Sequence, residues 1–267
     1  MSLPKPAAGT AVLVTGASSG IGTELAKGIA ELGHDLILVA RRVERLEAVG
    51  AELTEAHGVA VTVEPCDLGD PAARRQLIET IKNGDKTIVG LCNCAGFGTA
   101  GEFVTLPVER EIGEIELNAT ALLELTHAFA GPMVEHGAGA ILNVASIAAF
   151  QPLPGMATYS ATKAFAQTFS EAVHQELAGT GVSCTALCPG PVETEWAEIA
   201  NAQAVMFGPA KVSPAKVAAD GLKGMLDGKR SVVPGAVPAA MGAAGRYVPR
   251  SVLLPALRIG GRLRRRG

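Results

Sequence analysis

Short apolar segments alternate along this chain with longer segments whose apolar residues recur every three or four positions. Several of the apolar segments, such as Leu36-Ile37-Leu38-Val39, contain no polar residue, which is typical of parallel strands covered on both faces. Their lengths and spacing predict strands at residues 11–15, 35–40, 59–65, 88–93, 138–145, 182–188 and 231–233.

The periodic segments predict helices at residues 21–32, 43–57, 71–82, 107–135, 158–178 and 214–226. Two of these helices begin with a capping residue followed by proline, at Asp70-Pro71 and Ser213-Pro214. Strands and helices that alternate in this way predict an α/β fold. We expect a doubly wound parallel sheet of about seven strands, Rossmann-like, with helices on both faces. In such a sheet, ligands bind at the carboxyl ends of the strands.

The composition is typical of a globular protein rather than a disordered or membrane-spanning one. A chain of 267 residues with 48% hydrophobic and 18% charged residues predicts one domain over residues 1–267. No apolar segment approaches the ~20 residues that span a bilayer, and no secretory signal is recognisable. The five cysteines favour reduced, buried thiols in a cytoplasmic protein. No metal site and no nucleic-acid partner is predicted.

The net charge of −3 conceals an asymmetry, because nine basic residues and no acidic residue follow Asp227. We therefore expect a basic C-terminal extension over residues 234–267. It could dock on the protein's own acidic surface, on a partner, or weakly on an anionic membrane. The competing interpretation is a solvated, partly disordered terminus. Residues that would interrupt an amphipathic helix there are Pro249, Pro255, Gly260 and Gly261.

Tyr159 and Lys163 carry the most specific chemical signal. They are four residues apart, so a helix places both side chains on one face. An ammonium one turn away is expected to favour the phenolate and to lower the tyrosine pKa from its usual value of ~10. Ser146 precedes this pair and offers a hydroxyl that could polarise a carbonyl while Tyr159 supplies the proton.

A glycine-rich turn follows the first predicted strand and offers a place for a nucleotide, with the sequence Thr15-Gly16-Ala17-Ser18-Ser19-Gly20-Ile21-Gly22. Together with the tyrosine, lysine and serine, it predicts hydride transfer between a nicotinamide cofactor and a carbonyl or alcohol. Candidate residues follow six different strands and should meet at one edge of the sheet. They are Gly16, Arg41, Arg42, Asp67, Asn93, Ser146, Pro189 and Gly190.

These motifs resemble the short-chain dehydrogenase/reductase family, in its single-domain, NADP-preferring, ketoacyl-reductase-like branch. The resemblance covers residues 11–233 and includes the Gly16-x-x-x-Gly20-x-Gly22 spacing. The chain departs from the family's N-N-A-G segment at Cys94, where Asn93-Cys94-Ala95-Gly96 stands. Since the segment is held largely by packing of its backbone, we expect the chain to bind the nucleotide despite this difference.

The resemblance implies four catalytic residues. Asn118 would kink its helix and hold a water that connects the lysine to solvent. Ser146 would orient and polarise the substrate carbonyl, Tyr159 would be the general acid in reduction, and Lys163 would bind the nicotinamide ribose and lower the tyrosine pKa.

The resemblance also implies the cofactor contacts. An arginine pair after the second strand suits the 2′-phosphate of NADP(H), whereas NAD enzymes usually carry an acid there. The competing interpretation is that Arg41 and Arg42 only solvate the start of the next helix. The implied cofactor-binding residues are Gly16, Ser18, Ser19, Gly20, Ile21, Gly22, Arg41, Arg42, Asp67, Leu68, Asn93, Ala95, Gly96, Tyr159, Lys163, Pro189, Gly190, Val192 and Thr194.

The segment 189–212 is mostly apolar and is expected to form a substrate loop that favours a hydrophobic carbonyl, such as a 3-oxoacyl chain or a ketone. Two alternatives stay open. One is a membrane-associated reductase of lipid or steroid ketones, and the other is a non-catalytic module that senses NADP. The resemblance further implies a homodimer or homotetramer.

Overall fold

A computed structural model describes residues 3–200 and 211–264, and the side chains of the last helix as far as Leu257. Its strands are β1 (Thr10–Thr15), β2 (Asp35–Ala40), β3 (Val61–Pro65), β4 (Thr87–Asn93), β5 (Gly139–Val144), β6 (Val182–Leu187) and β7 (Ser231–Val232). They form a seven-stranded sheet in the order β3-β2-β1-β4-β5-β6-β7, and each neighbouring pair is parallel. The order reverses between β1 and β4, which is where such folds open a ligand crevice.

The helices of the described residues are α1 (Gly20–Glu31), α2 (Val43–His57), α3 (Pro71–Lys82), α4 (Val108–Ile115), α5 (Leu122–His136), α6 (Ala157–Glu176), α7 (Trp196–Ile199), α8 (Pro214–Leu226), α9 (Ala236–Tyr247) and α10 (Arg250–Arg264). The predicted caps are confirmed for α3 and α8. The Asp70 carboxylate accepts from the N–H of Ala72 at 2.8 Å, and the Ser213 hydroxyl accepts from that of Lys216 at 3.3 Å.

Hydrophobic cores lie on both faces of the sheet. In β1, Val12 and Val14 pack with residues of α1, α2 and α8, while Ala11 and Leu13 pack with residues of α3 and α5 on the other face. Side chains alternate between the faces of a strand, so a strand covered on both faces must be apolar throughout. The predicted doubly wound α/β fold is confirmed.

The predicted helix at 107–135 is wrong as one continuous helix. It is divided by a π-helical turn, Glu116–Ala121, between α4 and α5. Asn118 lies in this turn, where its side-chain N–H donates to the carbonyl of Phe97 at 2.8 Å and its oxygen accepts from the Phe97 N–H at 3.1 Å. This contact holds Asn118 where the regular α-helix is interrupted by the π-helical turn. Such turns are frequent at functional sites.

The C-terminal extension forms helices α9 and α10, so the interpretation as a partly disordered terminus is wrong for the described residues. Pro249 falls between the two helices, and α10 continues past Pro255. Gly242 lets α9 approach the short helical turn at Ile147–Phe150, because a Cβ there would lie 2.8 Å from the ring of Phe150. The guanidinium of Arg246 lies 4.8 Å from the centroid of the same ring. The extension therefore docks on the protein's own body, while residues 265–267 lie outside the described range.

No helix in the described ranges is both long and apolar enough to cross a bilayer. All five cysteines are free thiols, four of them buried.

Candidate active site

A cavity of about 690 Å³ opens at the carboxyl ends of the strands, where the strand order reverses. Most of the predicted site residues line it, namely Gly16, Ser18, Ser19, Gly20, Ile21, Arg41, Arg42, Asp67, Leu68, Ala95, Gly96, Ser146, Tyr159, Lys163, Pro189, Gly190, Val192 and Thr194. Gly22, Asn93 and Asn118 do not. The structure therefore brings together residues from both ends of the sequence around one space.

The glycine turn is shaped by close backbone approaches. Gly16 has a φ of 66°, and a Cβ on it would lie 2.9 Å from the nitrogen of Ala95. A Cβ on Gly22 would lie 2.2 Å from the Gly16 carbonyl oxygen, so this glycine serves the packing of α1 behind the cavity wall. The turn thus presents open backbone to the cavity at the N-terminus of α1, an arrangement suited to a phosphate.

The segment that departs from the family pattern at Cys94 is held by its backbone. The Thr15 hydroxyl oxygen accepts from the N–H groups of Cys94 at 3.0 Å and Ala95 at 3.1 Å. The substitution at Cys94 leaves both contacts in place. Asn93 points into the protein instead, where its amide donates to Thr126 at 3.1 Å and Asn143 at 2.9 Å. Asn93 therefore braces the strands and does not form the cavity wall.

Arg41 and Arg42 differ in how they are held. The Arg42 guanidinium donates to the hydroxyl of Ser18 at 3.1 Å and to that of Ser19 at 2.8 Å, which fixes it beside the glycine turn. The Arg41 side chain is 71% exposed and lies 3.9 Å from the Asp67 carboxylate. The predicted arginine pair thus consists of one fixed cation and one loosely held cation.

Tyr159 and Lys163, both on α6, line the same cavity as the arginines. The Lys163 ammonium donates to the Val144 carbonyl at 2.8 Å and lies 5.9 Å from the centroid of the Tyr159 ring. Ser146 follows β5, where its hydroxyl accepts from the N–H of Ala148 at 3.1 Å. The serine, tyrosine and lysine predicted to do the chemistry therefore line one cavity.

Burial is the largest cause of the pKa shifts of Tyr159 and Lys163. It raises the pKa of Tyr159 far above its usual value, and the negative charge of Glu114 adds to this, while a hydrogen bond with Ser146 lowers it. Burial also lowers the pKa of Lys163 to about 8. The expected fall in the tyrosine pKa is therefore wrong in this structure, because desolvation by burial is the largest effect on it. A phenol that keeps its proton at neutral pH is the form that can act as an acid.

Comparison with known proteins identifies the chain. The family described as short chain dehydrogenase matches residues 10–204. The chain belongs to this family. It is an oxidoreductase that acts on alcohol and carbonyl groups.

Three known proteins illustrate what this short-chain dehydrogenase is similar to. Sulfoacetaldehyde reductase 2 of Chromohalobacter salexigens is 37% identical over 189 residues, which cover 69% of this chain and 73% of that protein. A short-chain dehydrogenase from Sphingobium yanoikuyae, solved in complex with NADPH, is 35% identical, covers 94% of each chain and has a TM-score of 0.80. A bulky-bulky ketone specific alcohol dehydrogenase from Comamonas testosteroni is 28% identical, with a TM-score of 0.75 over 90% of this chain and 95% of that one.

Asn118 lies behind the catalytic group of this short-chain dehydrogenase. Its amide also donates to the hydroxyl of Thr162 on α6 at 3.1 Å. It therefore ties the π-helical turn to the helix that carries Tyr159 and Lys163, while Phe97 anchors it on the other side.

A buried carboxyl near the catalytic pair was missed by sequence reasoning. Glu114 on α4 is fully buried, and one of its oxygens accepts from the Thr99 hydroxyl at 2.8 Å. Its other oxygen has no hydrogen-bond partner among the described residues. Burial raises its pKa to about 7. Nothing in the sequence distinguishes Glu114 from Glu109, an exposed glutamate of the same helix.

Mostly apolar side chains line the cavity around Tyr159, and the sequence predicted only part of this set. The rings of Trp196 and Tyr159 are 4.8 Å apart between centroids, so the tryptophan lines the cavity rather than merely anchoring its loop. Residues 201–210 of the expected substrate loop lie outside the described residues. Other apolar residues at this cavity are Phe97, Leu153, Met156, Ile199, Met241 and Leu257. The last two come from α9 and α10.

Proposed function

We propose that this protein is an NADP(H)-dependent oxidoreductase that reduces a hydrophobic ketone or 3-oxoacyl-type carbonyl, or oxidises the corresponding secondary alcohol. One observation carries the proposal. Ser146, Tyr159 and Lys163 line the same cavity as Arg42, which is fixed beside the glycine turn.

The glycine turn and Arg42 line one part of the cavity, the nucleotide end. This part suits a dinucleotide with an extra phosphate. Gly16 and Gly20 line the cavity at the N-terminus of α1, a position that suits a pyrophosphate. Arg42, with Ser18 and Ser19 at its side, offers charge-assisted hydrogen bonds to a 2′-phosphate. The NADPH complex of the Sphingobium yanoikuyae protein supports the same choice. When bound, the nicotinamide ring supplies or accepts the hydride.

The chain's own residues handle the proton and the carbonyl oxygen. Tyr159 donates its phenolic proton to the oxygen, and the Ser146 hydroxyl orients the carbonyl from the side. Lys163, with its pKa lowered to about 8, is mostly charged at neutral pH and stabilises negative charge as the phenol loses its proton. Burial of the group strengthens each of these interactions.

The substrate end favours an apolar ketone. Its walls include the rings of Phe97 and Trp196 and the side chain of Met156, and α9 adds Met241. The name of the Comamonas testosteroni enzyme, specific for ketones flanked by two bulky groups, supports this choice. A non-catalytic NADP sensor is less favoured, because a sensor needs neither the tyrosine nor the lysine in the cavity.

A carbonyl panel tests the activity. We expect NADPH oxidation, followed by its absorbance, with hydrophobic ketones or 3-oxoacyl thioesters and little with small polar aldehydes. NADPH binding without turnover on any carbonyl or alcohol of the panel would favour the sensor.

A single variant tests the cofactor choice. Because Arg42 is the fixed cation, Arg42→Ala is expected to weaken NADPH binding by about tenfold to a hundredfold while changing NADH binding by less than about threefold. Arg75→Ala, at an exposed arginine of α3, is the matched control. Equal losses for NADPH and NADH would reject the phosphate role.

A homodimer or homotetramer is part of the proposal. Exposed apolar side chains on and before α4 offer a surface that a second copy would cover, namely Phe103, Val104, Val108, Ile112 and Ile115. Light scattering on the purified protein should give a dimer or tetramer mass, and Ile112→Asp should lower it.

Weak contact with a membrane surface is the second candidate property. Tyr247, Val252 and Leu254 are exposed on α9 and α10, in a region without acidic residues. Co-sedimentation with anionic vesicles, reduced by Val252→Ser with Leu254→Ser, would support it. Equal sedimentation of both proteins would reject it. The cytoplasmic location stays a prediction.

A further inference from the structure

Glu195 bridges two arginines at the mouth of the nucleotide end. One carboxylate oxygen lies 2.7 Å from the Arg42 guanidinium and the other 2.6 Å from that of Arg45. The hydrogen bonds of Arg45 and Arg42 hold the pKa of this carboxyl below its usual range, so it is charged at neutral pH. The loop after β6 is thereby tied electrostatically to the start of α2.

Glu195 takes an N–H donor of Arg42 that a phosphate would need. The Arg42 guanidinium donates one N–H to Glu195 and three to the hydroxyl oxygens of Ser18 and Ser19, whose own O–H groups can rotate toward another acceptor. Glu195 is the anion paired with Arg42 in the described part of the chain. A dianionic phosphate that approaches Arg42 therefore meets a carboxylate of the same sign already in place.

We propose that Glu195 is a specificity-determining residue, which holds Arg42 in place of the 2′-phosphate and must release it when a 2′-phosphorylated nucleotide binds. This inference rests on the proposed NADP(H) function. Glu195 weakens NADPH binding by this competition and leaves NADH binding unchanged, because NADH brings no phosphate to Arg42.

The release is linked to the substrate end through one peptide bond. Glu195 directly precedes Trp196, whose ring packs on that of Tyr159. A backbone movement that withdraws the Glu195 carboxylate from Arg42 would also move the indole. Trp196 is the only tryptophan of the chain, so its fluorescence would report such a movement.

Binding measurements test the competition. Dissociation constants for NADPH and NADH are determined by titration calorimetry on the wild-type protein and on Glu195→Gln. We expect Glu195→Gln to bind NADPH about three- to tenfold more tightly and NADH within about twofold of wild type, as for a partly exposed ion pair. Glu193→Gln is the matched control, because Glu193 lies in the same loop and pairs with Lys211 at 2.7 Å. It should leave both constants unchanged.

A double variant separates competition from a general charge effect. In an Arg42→Ala background, Glu195→Gln should no longer tighten NADPH binding. Adenosine 2′,5′-bisphosphate, which has no nicotinamide to quench the indole, should change Trp196 emission in the wild-type protein, and ADP should not. Persistence of the tightening in the Arg42→Ala background would overturn the inference.

The outcomes distinguish this inference from the function on which it rests. Equal affinities for NADPH and NADH in both the wild-type protein and Glu195→Gln would overturn both together. A wild-type preference for NADPH that Glu195→Gln leaves unchanged, or that Glu193→Gln increases equally, would overturn the role of Glu195 alone.

Discussion

The ring of Trp196 lies against that of Tyr159, with 4.8 Å between centroids and 50° between planes. Gly98 makes this contact possible. A Cβ at that position would lie 2.5 Å from the indole and 3.0 Å from the phenol ring, closer than side-chain atoms can approach. Three segments that are distant in sequence therefore fix the ring that carries the catalytic hydroxyl.

Gly98→Ala is expected to reduce kcat/KM for the best hydrophobic ketone by about tenfold or more, because displaced rings no longer hold the substrate in reacting geometry. Steady-state kinetics at saturating NADPH would measure it. Gly131→Ala is the control, since a Cβ on this exposed helical glycine meets nothing within 4 Å. That variant should keep its activity and gain up to ~1 kcal/mol in the free energy of unfolding. Full activity of Gly98→Ala would show that the rings can move apart without consequence.

Glu114 should make the protein less stable as pH rises. Its pKa is raised from 4.5 to about 7 in the folded state. The folded protein therefore binds more protons than the unfolded chain between these values, and the destabilisation is complete above the folded pKa. Glu114→Gln removes this effect. The free energy of unfolding of Glu114→Gln minus that of wild type should therefore increase by ~2 kcal/mol between about pH 5 and about pH 8.

Urea unfolding at both pH values measures this difference. Glu109→Gln, at an exposed glutamate of the same helix, removes the same charge and should show no such growth. A constant difference between Glu114→Gln and wild type across the pH range would mean that Glu114 is not held in its neutral form.

Asn118→Ala should lower the free energy of unfolding by ~2 kcal/mol or more, because both backbone groups of Phe97 and the hydroxyl of Thr162 lose a partner. Chemical denaturation gives the value, with Asn83→Ala as the exposed control. A loss no larger than that of the control would mean that the π-helical turn does not depend on this amide.

The sequence predicted the parts of the fold that depend on local pattern. The ranges of α2, α3 and α8 agree with the prediction, because caps, periodicity and the αL glycine after α2 are local signals. The π-helical turn was missed, since it depends on a contact between Asn118 and Phe97, 21 residues apart. Helices α9 and α10 were missed because their prolines and glycines argue against a helix until docking on Phe150 is known. The extent of the domain stays a prediction.

In the candidate site, too, local signals were predicted and contacts between distant residues were missed. The glycine turn, Ser146 and the Tyr159–Lys163 pair were found because their spacing is recognisable in one segment at a time. Glu195 was missed as a partner of Arg42, from which 153 residues separate it. The direction of the tyrosine pKa was predicted wrongly, because spacing shows a neighbouring charge but not the depth of burial.

The proton donor is the centre of the proposed mechanism, and Tyr159→Phe tests it most directly. NADPH oxidation with the best ketone of the panel would be measured together with the dissociation constant for NADPH. We expect kcat to fall by about a hundredfold or more while the dissociation constant stays within about threefold of wild type. A variant that turns over within about tenfold of the wild-type rate, with NADPH equally well bound, would contradict the assignment of Tyr159 as the acid.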